Sequence, residues 1–119
     1  MKLESYKDLI VWQKSIKLVY KLYQITYCFP KEELYCLTSQ MRRAAISILS
    51  NIAEGYKRKG LGEYLRFLNI AEASAAELET QIIIAKGLYK KIDFLNIELL
   101  LVEIQKILFV MIRNLKGIR

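Results

Sequence analysis

Residues 64–85 read YLRFLNIAEASAAELETQIIIA, and in this stretch Tyr64, Leu68, Ala71, Ala75, Leu78, Ile82 and Ala85 recur at alternating steps of four and three. That rhythm lays one apolar line along a single helix face, the seam by which helices pack into bundles. Residues 71–76 are mostly alanine, so a neighbouring helix can come close there. Gly87 reads as the residue that ends this third helix.

The same periodicity extends outward on both sides. A first helix is expected over residues 6–28, with Ser5 and Asp8 at capping-box spacing and Pro30 as its stop. Leu9, Trp12, Ile16, Val19 and Tyr23 form its expected seam, widened by a second line of Val11, Leu18, Leu22 and Ile25. After the turn Pro30-Lys31-Glu32-Glu33, Thr38 or Ser39 is placed to cap a second helix ending near residues 54–56. Its apolar line is Met41, Ala45, Ile48 and Ile52, flanked by Ala44, Leu49 and Ala53; Gly55, Gly60 and Gly62 mark its exit and the turn beyond. Asp93 caps a fourth helix that continues to about residue 115. Ile97, Leu101, Ile104, Leu108 and Met111 give this helix one seam, and Leu100, Ile107 and Val110 give it another. With Phe109 and Ile112 also apolar, it has more greasy circumference than one bundle face can bury, and is expected to meet another subunit. Four segments of about 20 residues, each about 30 Å long, predict an all-α, up-down-up-down four-helix bundle, with residues 1–119 forming one domain.

Composition narrows the function classes. Hydrophobic residues make up 54% of the 119, more than so small a domain can readily hide, which again points to self-association. No apolar run is long enough to span a bilayer, and the first residues lack the apolar core of a signal peptide, so a cytoplasmic protein without a membrane role is expected. There is no histidine, hence neither the commonest general base nor the commonest metal ligand. Cys28 and Cys36 lack metal-ligand spacing and are expected to be buried thiols. Gly60-Leu61-Gly62 follows no strand and is too short for a phosphate-binding fingerprint. Neither catalysis nor a cofactor is expected, and no residue set specific to a small ligand stands out.

The informative features are basic. The formal charge is +7, and residues 1–60 hold +6 of it. Lys57-Arg58-Lys59-Gly60, with Tyr56 before and Tyr64 after, places three cations at the turn between helices 2 and 3, a pattern suited to phosphate contact and base stacking. Along helix 2, Gln40, Arg43, Ser47, Ser50 with Asn51, Glu54 and Arg58 form a polar stripe beside the apolar line. Antiparallel pairing of helices 2 and 3 sets partners whose numbers sum to about 120, which puts Arg43 by Glu77, Asn51 by Asn69 and Glu54 by Arg66. The stripe is therefore either a set of register-fixing pairs or a polar groove in which Arg42, Arg43 and Arg66 meet an anionic ligand.

Several blocks resemble a known family. Asp8-Leu9-Ile10-Val11-Trp12-Gln13-Lys14, Leu37-Thr38-Ser39-Gln40-Met41-Arg42-Arg43-Ala44-Ala45 and Ser47-Ile48-Leu49-Ser50-Asn51-Ile52-Ala53-Glu54-Gly55 are similar to the bacterial four-helix-bundle proteins encoded in 23S ribosomal RNA intervening sequences. Glu63-Tyr64-Leu65-Arg66-Phe67-Leu68 and Ala76-Glu77-Leu78-Glu79-Thr80-Gln81 extend the likeness to about residue 90, while helix 4 is similar only in character. The family that the chain resembles includes the accessory protein of diversity-generating retroelements, which looks like a pentameric ring that works with a reverse transcriptase and nucleic acid. The resemblance implies a homopentamer with a role in binding RNA or DNA; it does not imply a catalytic activity. The chain departs from the family pattern at Leu49, often proline, and at Cys36, often glycine. Without that proline, helix 2 lacks its usual source of a kink. Two functions compete on this reading: a homo-oligomeric nucleic-acid-binding adaptor, and a protein–protein scaffold whose basic residues serve only solubility.

Overall fold

A computed structural model of the chain describes residues 5–117. Its helices are α1 (Ile10–Thr26), α2 (Leu37–Lys57), α3 (Leu61–Leu88) and α4 (Leu95–Leu115), and the described residues include no strand. Each helix packs on two neighbours, α1 between α2 and α4, and α3 closing the square opposite it. The molecule measures 43 × 25 × 24 Å. At 1.5 Å per residue the 28 residues of α3 are about 42 Å long, so this one helix spans the long axis. Among the described residues no helix is long and apolar enough to cross a membrane.

The α3 line is buried as its rhythm requires, with Leu68, Ala71, Ala75, Leu78, Ile82 and Ala85 in the core and Tyr64 half-buried against it. Met41, Ala45, Ile48 and Ile52 of α2 and Ile97, Leu101, Ile104 and Leu108 of α4 meet them. α2 passes through Leu49 as one unbroken helix.

Helix 1 departs most from expectation. Tyr6–Asp8 form a separate 3-10 turn, where Ser5 Oγ accepts the Lys7 amide at 3.1 Å, and extended backbone at Leu9 divides it from α1. The buried line of α1 is Val11, Ser15, Leu18, Leu22 and Thr26, so Val11, Leu18 and Leu22 of the expected second line form the seam and the line from Leu9 to Tyr23 flanks it. Two hydroxyl residues complete that seam and were hidden from the hydrophobic pattern. Ser15 Oγ donates to the Val11 carbonyl at 2.7 Å and Thr26 Oγ1 to the Leu22 carbonyl at 2.8 Å, so both enter the core with their polar demand met inside their own helix. Leu9, Trp12 and Val19 pack from the side, whereas Tyr23 reaches solvent.

Other boundaries shift for local reasons. α2 starts at Leu37 without a side-chain cap, because Thr38 lies inside the first turn and is buried. Gly87 does not end α3: its φ is not positive, and the helix runs on to Leu88. Asp93 does serve the start of α4, its Oδ1 accepting the Leu95 amide at 2.9 Å. Ile112 turns into the core, leaving Phe109 outside. Both cysteines are exposed rather than buried, because the α1–α2 connection that carries them runs over the surface. That connection is held to the one between α3 and α4 by aromatic packing, with Phe29 5.0 Å from Tyr89 and 6.2 Å from Phe94. The Tyr89 hydroxyl also donates to the Glu33 carboxylate.

Candidate nucleic-acid interface

The α2–α3 tip is shaped by one glycine. Gly55 lies inside α2, not at its exit, and a Cβ there would sit 2.8 Å from Phe67 Cβ and 3.1 Å from Tyr64 Cδ1. Only a residue without a side chain lets α3 approach this closely. The approach buries Phe67, and two guanidiniums pack over its ring, Arg58 at 4.8 Å and Arg66 at 4.6 Å from the centroid. An aromatic ring thereby fixes two cations at the tip while their charge stays in water. Phe67 was invisible as a functional residue in the sequence; its adjacency to Arg66 was the available signal.

Lys57, Arg58 and Lys59 are all exposed, and none has a carboxylate within ion-pair distance among the described residues. Arg66 is partly neutralised: its Nε donates to Glu63 at 3.0 Å, and that hydrogen bond and charge, aided by Arg58, hold the Glu63 carboxyl below its usual range. Glu63 thus takes the place expected of Glu54, since a carboxylate three residues away on the same helix needs no interhelical reach. The flanking rings of Tyr56 and Tyr64 meet edge-on at 6.4 Å instead of standing free, and burial, then Tyr56, raises the Tyr64 phenol.

Topology adds further cations. The end of the bundle that holds the tip is also where α1 begins and α4 stops, which brings Lys7, Arg113 and Lys116 to it. Against these and the tip stand Asp8, Glu54 and Glu63. Tyr6, Glu54, Lys57 and Arg58 border a shallow cleft of about 490 Å³ on this end.

The expected groove of Arg42, Arg43 and Arg66 does not form. Arg43 and Arg66 are separated along α2 and α3 by about 12 residues of antiparallel register, roughly 18 Å. Arg42 faces α1, with Nε donating to Thr26 Oγ1 at 2.9 Å and its guanidinium 4.1 Å from the Tyr23 ring centre. Arg43 faces α3 and shares an open cleft of about 490 Å³ with Gln40, Ser47 and Glu77, without ion-pair contact to Glu77. The register itself is as expected: Ser47 and Ser74, whose numbers sum to 121, are joined by a 2.7 Å hydrogen bond. Asn51 turns back to the Ser47 carbonyl at 2.8 Å instead of crossing to Asn69.

Among the described residues no group of acidic or cysteine side chains is placed to hold a metal. Fold and surface together define a small helical bundle with a cluster of exposed cations at its α2–α3 end. The chain belongs to the 23S rRNA-intervening sequence protein family, whose model matches residues 7–110. The match covers every block quoted above and runs well into α4, beyond residue 90 where the visible likeness stopped. Comparison with curated proteins finds no match.

Proposed function

We propose that the protein is a non-catalytic, self-assembling bundle that binds RNA or DNA through the cationic end of each protomer and acts as an adaptor. The observation that carries this reading is the tip: three exposed cations without acidic partners, one of them anchored on Phe67 beside Arg66. Such a surface recognises phosphate and supplies little base specificity. Changing Lys57, Arg58 and Lys59 together to Glu leaves helicity intact and weakens binding to a generic duplex. Removing three phosphate contacts flattens the log–log salt dependence by roughly 3. Unchanged binding by the triple variant at low salt refutes this location.

Self-assembly is supported by the outer line of α4, where Leu95, Leu99, Val102 and Phe109 stand exposed at helical spacing. A homopentamer presents five equal tips, so weak contacts add by multivalency. Light scattering is expected to give five times the 13.9 kDa chain mass, and Phe109→Glu to lower it without loss of helicity. A monomer at micromolar concentration contradicts this. The exposed α4 line equally suits a scaffold that binds another protein, a reverse transcriptase included, and loss of nucleic-acid binding altogether would favour that role.

A further inference from the structure

At the end of the bundle opposite the tip, a cavity of about 350 Å³ opens between the last turn of α1 and the first turn of α2. Its size lies at the lower end of the range for small-molecule sites. Tyr27, Phe29 and Leu34 are among its walls, and its polar lining includes Thr38 and Arg42. These two side chains are set up in different ways, and both observations point to a ligand.

Arg42 is held before anything binds. Its Nε–H is spent on Thr26 Oγ1, whose own O–H donates to the Leu22 carbonyl, and its plane rests on Tyr23. The Nη1/Nη2 edge remains, the edge that takes an oxyanion in a two-bond fork. Among the described residues no carboxylate lies within ion-pair distance of Arg42. Glu33, on the nearby 3-10 turn Lys31–Glu33, is engaged by the Tyr89 hydroxyl and does not line the cavity.

Thr38 is only 3% exposed, yet its hydroxyl makes no hydrogen bond among the described residues. Because it borders the cavity, that hydroxyl is left to bond with whatever fills the space, water or ligand. The first turn of α2 adds to this. It has no side-chain cap, so its leading amides present the positive end of a helix beside the same space.

We propose that this cavity binds a small organic anion, a single carboxylate or phosphate carried on a compact planar apolar body. The oxyanion meets the free edge of Arg42 and the Thr38 hydroxyl, while the apolar body lies against Tyr27, Phe29 and Leu34. The site is separate from the tip and does not depend on nucleic-acid binding there.

The test is an amide-resolved NMR titration of the whole chain with benzoate and with phenyl phosphate, using benzyl alcohol as the uncharged control. Saturable shifts are expected at Leu37, Thr38, Ser39 and the Arg42 Nε–H, and benzyl alcohol leaves these signals in place. Whichever of benzoate and phenyl phosphate saturates at lower concentration identifies the headgroup. Arg42→Gln and the near-isosteric Thr38→Val each weaken binding, by about tenfold or more for the charged contact. Equal shifts with benzyl alcohol would reduce the site to an apolar crevice. Shifts of equal size at Lys57, Arg58 and Lys59 would reduce it to general attraction of anions by a basic protein. Unaltered affinity in Thr38→Val, which keeps the shape of the side chain, would remove the hydroxyl from the site, and unaltered affinity in both variants would overturn the proposal.

Discussion

The two ends of the bundle use the same pairing, arginine over an aromatic ring, with opposite consequences. At the α2–α3 tip, Arg58 and Arg66 cover a ring already sealed in the interior, and their charge faces water next to two free lysines. At the α1–α2 end, Arg42 leans on the partly exposed Tyr23, is tied by Thr26, and borders a cavity. A cation on an exposed tip whose lysine neighbours are unpaired among the described residues suits a long, repetitive polyanion. A cation fixed at the wall of a cavity suits one ligand of defined size. What separates the two ends is how many directions each guanidinium has left open.

Two glycines provide the sharpest contrast. Gly55→Ala, at the tip, forces a methyl group to 2.8 Å from Phe67 Cβ, the rigid root of a buried side chain. Overpacking of this kind costs about 1–3 kcal/mol, and by pushing α3 away it also loosens the platform under Arg58 and Arg66. Gly87→Ala, at the opposite end, meets nothing within 4 Å and sits in the last turn of α3 without positive φ. It is expected to stabilise by about 0.5–1 kcal/mol. Chemical denaturation of both variants checks the signs; a stabilised Gly55→Ala would mean that the helices are not in close contact there.

A smaller effect belongs to the α1–α2 end. Tyr89 is pushed up to about 12, first by its hydrogen bond to Glu33 and then by burial. The folded pKa lies above the unfolded value near 10, so the contribution of this contact is complete below that pH and fades as pH rises towards 12. In a spectroscopic titration of phenolate formation, Tyr89 should ionise late among the eight tyrosines. Tyr89→Phe removes that late step, and Glu33→Gln moves it down.

Most of the fold was legible because three helices hide apolar residues at regular steps. The register of α2 on α3 followed from the turn near residue 60, and the Ser47–Ser74 bond agrees with it. The seam of α1 was legible only in part: Val11, Leu18 and Leu22 showed as a second line, whereas Ser15 and Thr26 satisfy their hydroxyls on their own backbone and so pass as surface residues. Of the candidate site, the exposed tip Lys57-Arg58-Lys59 could be read as a charge run. The fate of Arg42, Arg43 and Arg66 could not, because it depends on which neighbouring helix each side of α2 faces. Thr38 was read as a cap from its residue type and position, and only the fold places it inside the first turn of α2 at a cavity wall.

The central claim, that the cationic end binds nucleic acid through phosphate, is tested most directly on the native protein. Its affinity for a generic DNA or RNA duplex should be measured from low to physiological salt. The account predicts measurable binding at low salt and a linear fall of log affinity with log salt, of slope near −3 or steeper for each engaged protomer. Absence of binding at low salt, or an affinity indifferent to salt, would contradict it.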